Sequence, residues 1–155
     1  MLVDFNIISD ESRLWIYGSE SKLTDYQQEV ILEKILEYLK TWDYHNNPLT
    51  AAVTIKEDHF IVIALDDSEF GVGGCSIDSL QRIIQELEKD LSISLLNRLN
   101  IFCRIDGIIR CMPTFKLAEF ANKETLFYDL TIQKKSELSN WLKPVEEGWC
   151  ATIIQ

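Results

Sequence analysis

Thr50-Ala51-Ala52-Val53-Thr54-Ile55-Lys56, then Glu57-Asp58, then His59-Phe60-Ile61-Val62-Ile63-Ala64-Leu65-Asp66, is the stretch on which the fold turns. Two β-rich runs parted by two polar residues predict an antiparallel hairpin. From Phe60 to Leu65 the chain is apolar without alternation, which suits a central strand covered on both faces.

Upstream, Leu14-Trp15-Ile16-Tyr17 ends at Gly18-Ser19 and predicts a first strand. Thr24-Asp25-Tyr26-Gln27 fits a capping box. Tyr26, Val30, Ile31, Ile35, Tyr38, Leu39 and Trp42 then recur at helical spacing, opposite Glu29, Glu33, Lys34, Glu37 and Lys40, so an amphipathic helix follows. Asn46-Asn47-Pro48 interrupts it. Downstream of the hairpin, Gly71-Val72-Gly73-Gly74 leads into a second helix carried by Ile77, Leu80, Ile83, Ile84, Leu87 and Leu91.

Asp106-Gly107 is the strongest short turn signal in the chain and predicts a hairpin between strands near 101–105 and 108–112. Its register pairs Ile105 with Ile108, Cys103 with Arg110 and Phe102 with Cys111. Beyond Pro113 the pattern predicts a short helix over 115–121, a strand over 126–132 and a short helix before Pro144. The order strand, helix, strand, strand, helix, strand matches a ferredoxin-like β-α-β-β-α-β core. The expected fold class is therefore α+β: a two-layer sandwich extended by an extra strand and an irregular C-terminal segment. With no repeat and no Gly/Ser- or Pro-rich linker, residues 1–155 are expected to form a single domain.

Of 155 residues, 46% are hydrophobic and 26% charged, which is globular composition. Fifteen basic against 25 acidic residues give a net charge of -10, a poor match for nucleic acid or anionic lipid. No apolar run reaches the ~20 residues of a spanning helix. The start, Met1-Leu2-Val3-Asp4-Phe5, lacks the basic and apolar regions of a signal peptide, so an acidic cytoplasmic protein is expected. Cys75, Cys103, Cys111 and Cys150 include no C-x-x-C pair. Since the hairpin register keeps Cys103 and Cys111 from facing each other, free thiols suit the chain best.

The topology also concentrates polar residues. A hairpin antiparallel to a β-α-β unit brings Arg13, the loop holding His45, Asp66, Asp67, Gly74, Cys75, Ser76, Asp78 and Arg82 towards one edge of the sheet, with Asp106 near it. His59 is left at the other end, about 23 Å along the strand. Cys75 follows a glycine link and opens a helix, where backbone amides and the helix dipole favour an anion or a thiolate. With His45 as base and Asp66 or Asp67 orienting it, a thiol enzyme is conceivable chemistry. Four carboxylates (Asp66, Asp67, Glu69 and Asp78) crowd the same place and push a thiol the other way. The plainer account has Cys75 packed under a glycine turn, Ser76 capping the helix, and one of Asp66 and Asp67 pairing with Arg13.

No metal is expected, because Asp66 and Asp67 point to opposite faces of a strand. No other cofactor is expected either. Gly71-Val72-Gly73-Gly74-Cys75-Ser76 is neither a P-loop nor a dinucleotide fingerprint. Trp15, Trp42, Trp141 and Trp149 fit core or interface positions. The apolar tail Cys150-Ala151-Thr152-Ile153-Ile154 looks exposed and motivates self-association.

Ser12-Arg13-Leu14-Trp15-Ile16-Tyr17, Leu23-Thr24-Asp25, Trp42 with His45, Leu65-Asp66-Asp67, and Gly74-Cys75-Ser76-Ile77-Asp78-Ser79 with Arg82 resemble a family of short uncharacterised bacterial proteins. Automated labels sometimes term such proteins ABC transporter ATPases, a label without a motif to support it here. The resemblance implies no activity, cofactor or catalytic residue. The expectation is a non-catalytic binding or regulatory module working through the edge around Cys75, with an unknown protein or small molecule as partner. A thiol enzyme and a self-associating homo-oligomer are the alternatives.

Overall fold

A computed structural model describes residues 1–44, 47–66 and 74–154. The chain divides into two compact units: Met1–Leu96 with Gln133–Ser136, and Asn97–Ile132 with Glu137–Gln155. The class is α+β, with two antiparallel sheets of three and four strands.

The first unit runs β1 (Arg13–Gly18), α1 (Asp25–Leu39), a two-residue ladder of β2 (Asp43–Tyr44) and β3 (Asn47–Pro48), β4 (Thr50–Lys56), β5 (Phe60–Asp66) and α2 (Gly74–Leu91). Its sheet has the order β1-β5-β4, with β5 antiparallel to both neighbours. The unbroken apolar run marks the centre as expected: Phe60, Ile61, Val62, Ile63, Ala64 and Leu65 are all fully buried. Alternation sends Ile61, Ile63 and Leu65 to one face, where Ile31, Ile35 and Leu39 of α1 and Leu80, Ile84 and Leu87 of α2 complete a core. Phe60, Val62 and Ala64 fill the other face. There the buried Phe5 lies between the ammonium groups of Lys56 and Lys135, 5.6 and 5.3 Å from its ring centroid.

Helix α1 starts where its capping box says. The Thr24 hydroxyl accepts from the Gln27 amide at 3.1 Å, and the Gln27 side chain accepts from the Thr24 amide at 3.0 Å. The helix closes at Leu39, short of Trp42, and Tyr26 stays exposed rather than joining the apolar stripe. Lys34 bridges α1 to α2 by pairing with Glu86 at 2.8 Å, and that hydrogen bond raises its affinity for its proton.

The β4–β5 turn differs from its expected two residues. Glu57 and Asp58 both have left-handed backbone (φ 51° and 57°), and His59 is left outside the ladder, with Lys56 opposite Phe60. Asp58 holds its place through Gln28 Nε2, which donates to its carboxylate at 2.9 Å. Glycine adopts without strain the left-handed backbone that Glu57 holds at φ 51°, so Glu57→Gly should relieve backbone strain and stabilise by roughly 0.5 kcal/mol. A lower urea midpoint for that variant would contradict this.

The second unit runs β6 (Asn100–Ile105), β7 (Ile108–Pro113), a 3-10 turn (Thr114–Lys116), α3 (Leu117–Phe120), β8 (Leu126–Tyr128), a 3-10 helix (Lys135–Asn140, whose first two residues belong to the first unit), β9 (Leu142–Pro144) and two further 3-10 turns. The sheet order is β7-β6-β8-β9. Asp106 (φ 54°) and Gly107 (φ 77°) form the expected tight turn, and the register pairs Cys103 with Arg110 and Phe102 with Cys111. The strand expected over 126–132 keeps only its first three residues.

One part of the expected topology is redistributed. A ferredoxin-like core would set the sixth element of the series, here β6, beside β1. A strand has only two sides, and β6 has β7 on one and β8 on the other. The position beside β1 is taken by Gln133–Ser136: Leu14 N donates to Gln133 O at 3.0 Å, and Lys135 N donates to Ser12 O at 2.9 Å.

Candidate functional site

The registers fix one end of the first sheet. Arg13 lies opposite Leu65 and Thr50 opposite Asp66, so the starts of β1 and β4 meet the finish of β5. His59 sits at the other end, 8% exposed, with Nδ1 2.9 Å from Glu57 O. Residues paired across a ladder project from the same face. Arg13 therefore shares the helix-bearing face with Leu65, while Thr50 and Asp66 project from the opposite one. Alternation thus separates Arg13 from Asp66, which leaves Asp67, outside the described residues, as the other partner considered for Arg13. The Arg13 guanidinium stacks instead 5.0 Å from the centroid of Trp15, two residues along.

Trp15 continues into the core. It meets Trp42 edge-on at 5.9 Å, and Trp42 meets Tyr38 at 5.8 Å while donating from Nε1 to the Tyr38 hydroxyl at 2.7 Å. These are packing aromatics, with the polar atoms of Trp42 and Tyr38 bonded to each other. Ser12 is the exception nearby. It is 1% exposed and its Oγ has no hydrogen-bond partner, although its amide donates to Ser9 O and its carbonyl accepts from Lys135 N.

Gly74, Cys75 and Ser76 form the first residues of α2, so Ser76 is the third residue of the helix rather than the cap expected for it. Asp78 and Arg82 are exposed and four residues apart, so they occupy one helix face. His45 and Asp67 lie outside the described residues, as does the glycine link 71–73. Among the described residues no group of three or more His, Cys, Asp or Glu side chains is arranged to hold a metal. No helix of the described chain is long and apolar enough to cross a membrane.

Cys103, Cys111 and Cys150 are free thiols. Burial pushes Cys103 up to about 11, with the nearby Cys150 adding to it, and burial also raises Cys150, helped by Asp129. Both are fully buried in the second unit's core with Ile101, Met112, Leu117, Phe127 and Val145. The apolar tail does not stand free: Ile153 and Ile154 pack, partly buried, against that core.

A second polar cluster, outside the expected site, lies in the second unit. Asp129, 7% exposed, accepts at one oxygen from the Thr131 amide (2.9 Å) and hydroxyl (2.5 Å), and at the other from Lys143 at 3.0 Å. Burial pushes its pKa up, but the Thr131 hydrogen bonds and then Lys143 outweigh burial and leave it below the ordinary value. Asp129 N donates to Trp141 O, and Tyr128 packs edge-on against Trp141 at 4.9 Å, its hydroxyl accepting from Arg104 at 3.0 Å. The Asp-x-Thr spacing, a turn signature, was the available signal. With its hydrogen bonds made, this cluster clamps the ends of β8 and β9.

Compared with family models, curated proteins and solved structures, the chain matches none.

Proposed function

We propose that the protein is a small, non-catalytic cytoplasmic binding module, taking a protein or small molecule at the sheet end formed by Arg13 and Asp66 and continued by His45, Asp67, Gly74, Cys75, Ser76, Asp78 and Arg82. The observation that supports it is the strand register, which draws Arg13, Thr50 and Asp66 from three separate parts of the chain to one end of the sheet. Free thiols suit a reducing compartment. The first unit is read as the β-α-β-β-α portion of a ferredoxin-like arrangement whose last strand has been reassigned.

The competing reading is a thiol enzyme with Cys75 as nucleophile and His45 as base. The carboxylates expected from sequence near Cys75, of which Asp67 and Glu69 lie outside the described residues, would oppose a thiolate, so the module requires an ordinary or raised thiol pKa there. Peptide-resolved iodoacetamide labelling across pH separates the two. Cys75 should react appreciably only above about pH 9. Rapid labelling near pH 6 would overturn the module and favour the enzyme. Cys103 and Cys150 act as internal references, since burial should leave both unlabelled until the second unit unfolds.

A further inference from the structure

The three-stranded sheet ends at β4, and part of that edge is open. Ala51 N donates to Met1 O and Ala51 O accepts from Val3 N, both at 3.0 Å, so residues 51, 53 and 55 turn their backbone groups away from β5. Leu2 bridges to Ala51 in parallel and packs, partly buried, against the core under the helices. The chain then leaves the edge. Among the described residues, the outward N–H and C=O of Val53 and Ile55 have no partner.

Helix α1 forms a wall above this edge. It packs on β4 and runs antiparallel to it: Leu23 N, at its start, donates to Asp58 O at 2.7 Å, and Trp42 O, past its end, accepts from Leu49 N at 3.2 Å. Lys34 faces α2, where it meets Glu86 and Asp90. At about 100° per residue, Leu32 and Leu36 stand roughly opposite Lys34, on the flank that overlooks the edge. Leu32 is half-buried and Leu36 is 37% exposed. Beside them runs an exposed row at four-residue spacing, Asp25, Glu29, Glu33 and Glu37, none with an ion-pair or hydrogen-bond partner among the described residues. Like charges so spaced weaken a helix rather than support it.

We propose that the β4 edge from Val53 to Lys56 takes an extended segment of a partner protein, in which basic residues alternate with β-branched ones, as an added strand. Its amides and carbonyls pair with Val53 and Ile55. Its basic residues, on the side of α1, lay their aliphatic stems along Leu32 and Leu36 and bring their charges to Glu29 and Glu33. Its β-branched residues lie on the opposite face, beside Thr54. The net charge of -10 favours a cationic segment. This edge is separate from the sheet end around Arg13 and Asp66, and the proposal does not rest on that reading.

A second copy fits the edge less well. Antiparallel pairing of two β4 strands joins outward-facing residues, and the one register that uses only the open groups sets Val53 opposite Ile55. That register puts Lys56 of the second copy opposite Ala52, the place Val3 already holds. Two molecules of this charge also repel each other.

The test is fluorescence anisotropy on the full chain with a labelled peptide alternating Lys and Val, its Glu-Val counterpart, and the Lys-Val peptide N-methylated at every amide. The Lys-Val peptide should bind, and the other two should bind at least about tenfold more weakly. Val53→Pro removes an outward N–H without touching the ladder to β5, and should weaken binding about tenfold. Leu36→Ser and the double variant Glu29→Lys/Glu33→Lys change exposed positions of α1, so each should weaken it about fivefold with the melting temperature kept, which leaves the test decisive even where Val53→Pro fails to fold. Equal binding of the N-methylated peptide would mean adhesion by charge alone and overturns the proposal. So does an absence of binding, or binding unchanged in both Leu36→Ser and the double variant. A dimer in sedimentation that Leu36→Ser dissociates gives the edge to a second copy and overturns it as well.

Discussion

Gly148→Ala is expected to destabilise the second unit by about 3 kcal/mol, at the upper end of what overpacking a filled core costs. The cause is space, not backbone freedom. Gly148 has φ near -114°, which any residue adopts. An added Cβ would instead overlap Cζ and Cε1 of Phe127 and stand 3.3 Å from Cε2. Phe127 has no room to retreat: it is fully buried, and its strand is paired with Cys103 on one side and Lys143 on the other. Urea unfolding of the single variant and of Gly148→Ala/Phe127→Leu provides the check. The smaller side chain should recover part of the loss, whereas strictly additive losses would show that the ring is not the obstacle.

Lys143→Met should cost about 2 kcal/mol at neutral pH, because it leaves the Asp129 carboxylate enclosed without its cation. That is below the penalty for a fully buried pair, since the two side chains retain 17% and 11% exposure. The pH dependence gives the stricter check. The folded-state pKa of Asp129 lies below its ordinary value, so its contribution is complete above about pH 4 and is lost as acid protonates the folded carboxylate. The gap between wild type and Lys143→Met should therefore be widest near neutrality and close in acid. A gap that persists unchanged at pH 3 would mean that the lysine acts through packing alone.

The first unit was legible because its signals are local and redundant. Thr24 and Gln27 mark a helix start wherever they occur together, and the six apolar residues of β5 leave only a central position open to that strand. The Asp106-Gly107 turn fixed a whole register through two residues. What sequence could not supply was competition between partners. Nothing in β6 says whether its free side will meet β1 or β8, since either union buries Ile101 and Cys103. β8 keeps the place, and a four-residue piece from beyond residue 132 borders β1.

The candidate site was legible to a different degree. Directions and registers follow from an antiparallel sheet, so the meeting of Arg13, Thr50 and Asp66 could be derived before any coordinates. Which way each side chain faces also follows from alternation, which sets Arg13 and Asp66 on opposite faces of the sheet. The Asp129–Lys143 pair escaped for another reason. Its members are 14 residues apart and meet through a three-residue strand too short to show a period.

The four residues bordering β1 also dictate how this protein can be dissected. The chain enters the second unit at Asn97, returns to the first for Gln133–Ser136, and leaves again. A fragment ending at Leu96 would keep every helix and strand of its sheet but lose the amide and carbonyl partners of Ser12 and Leu14. An uncapped β1 is then a template for edge-to-edge polymerisation, so the first unit is better isolated by grafting the missing tetrapeptide back through a designed connection than by simple truncation.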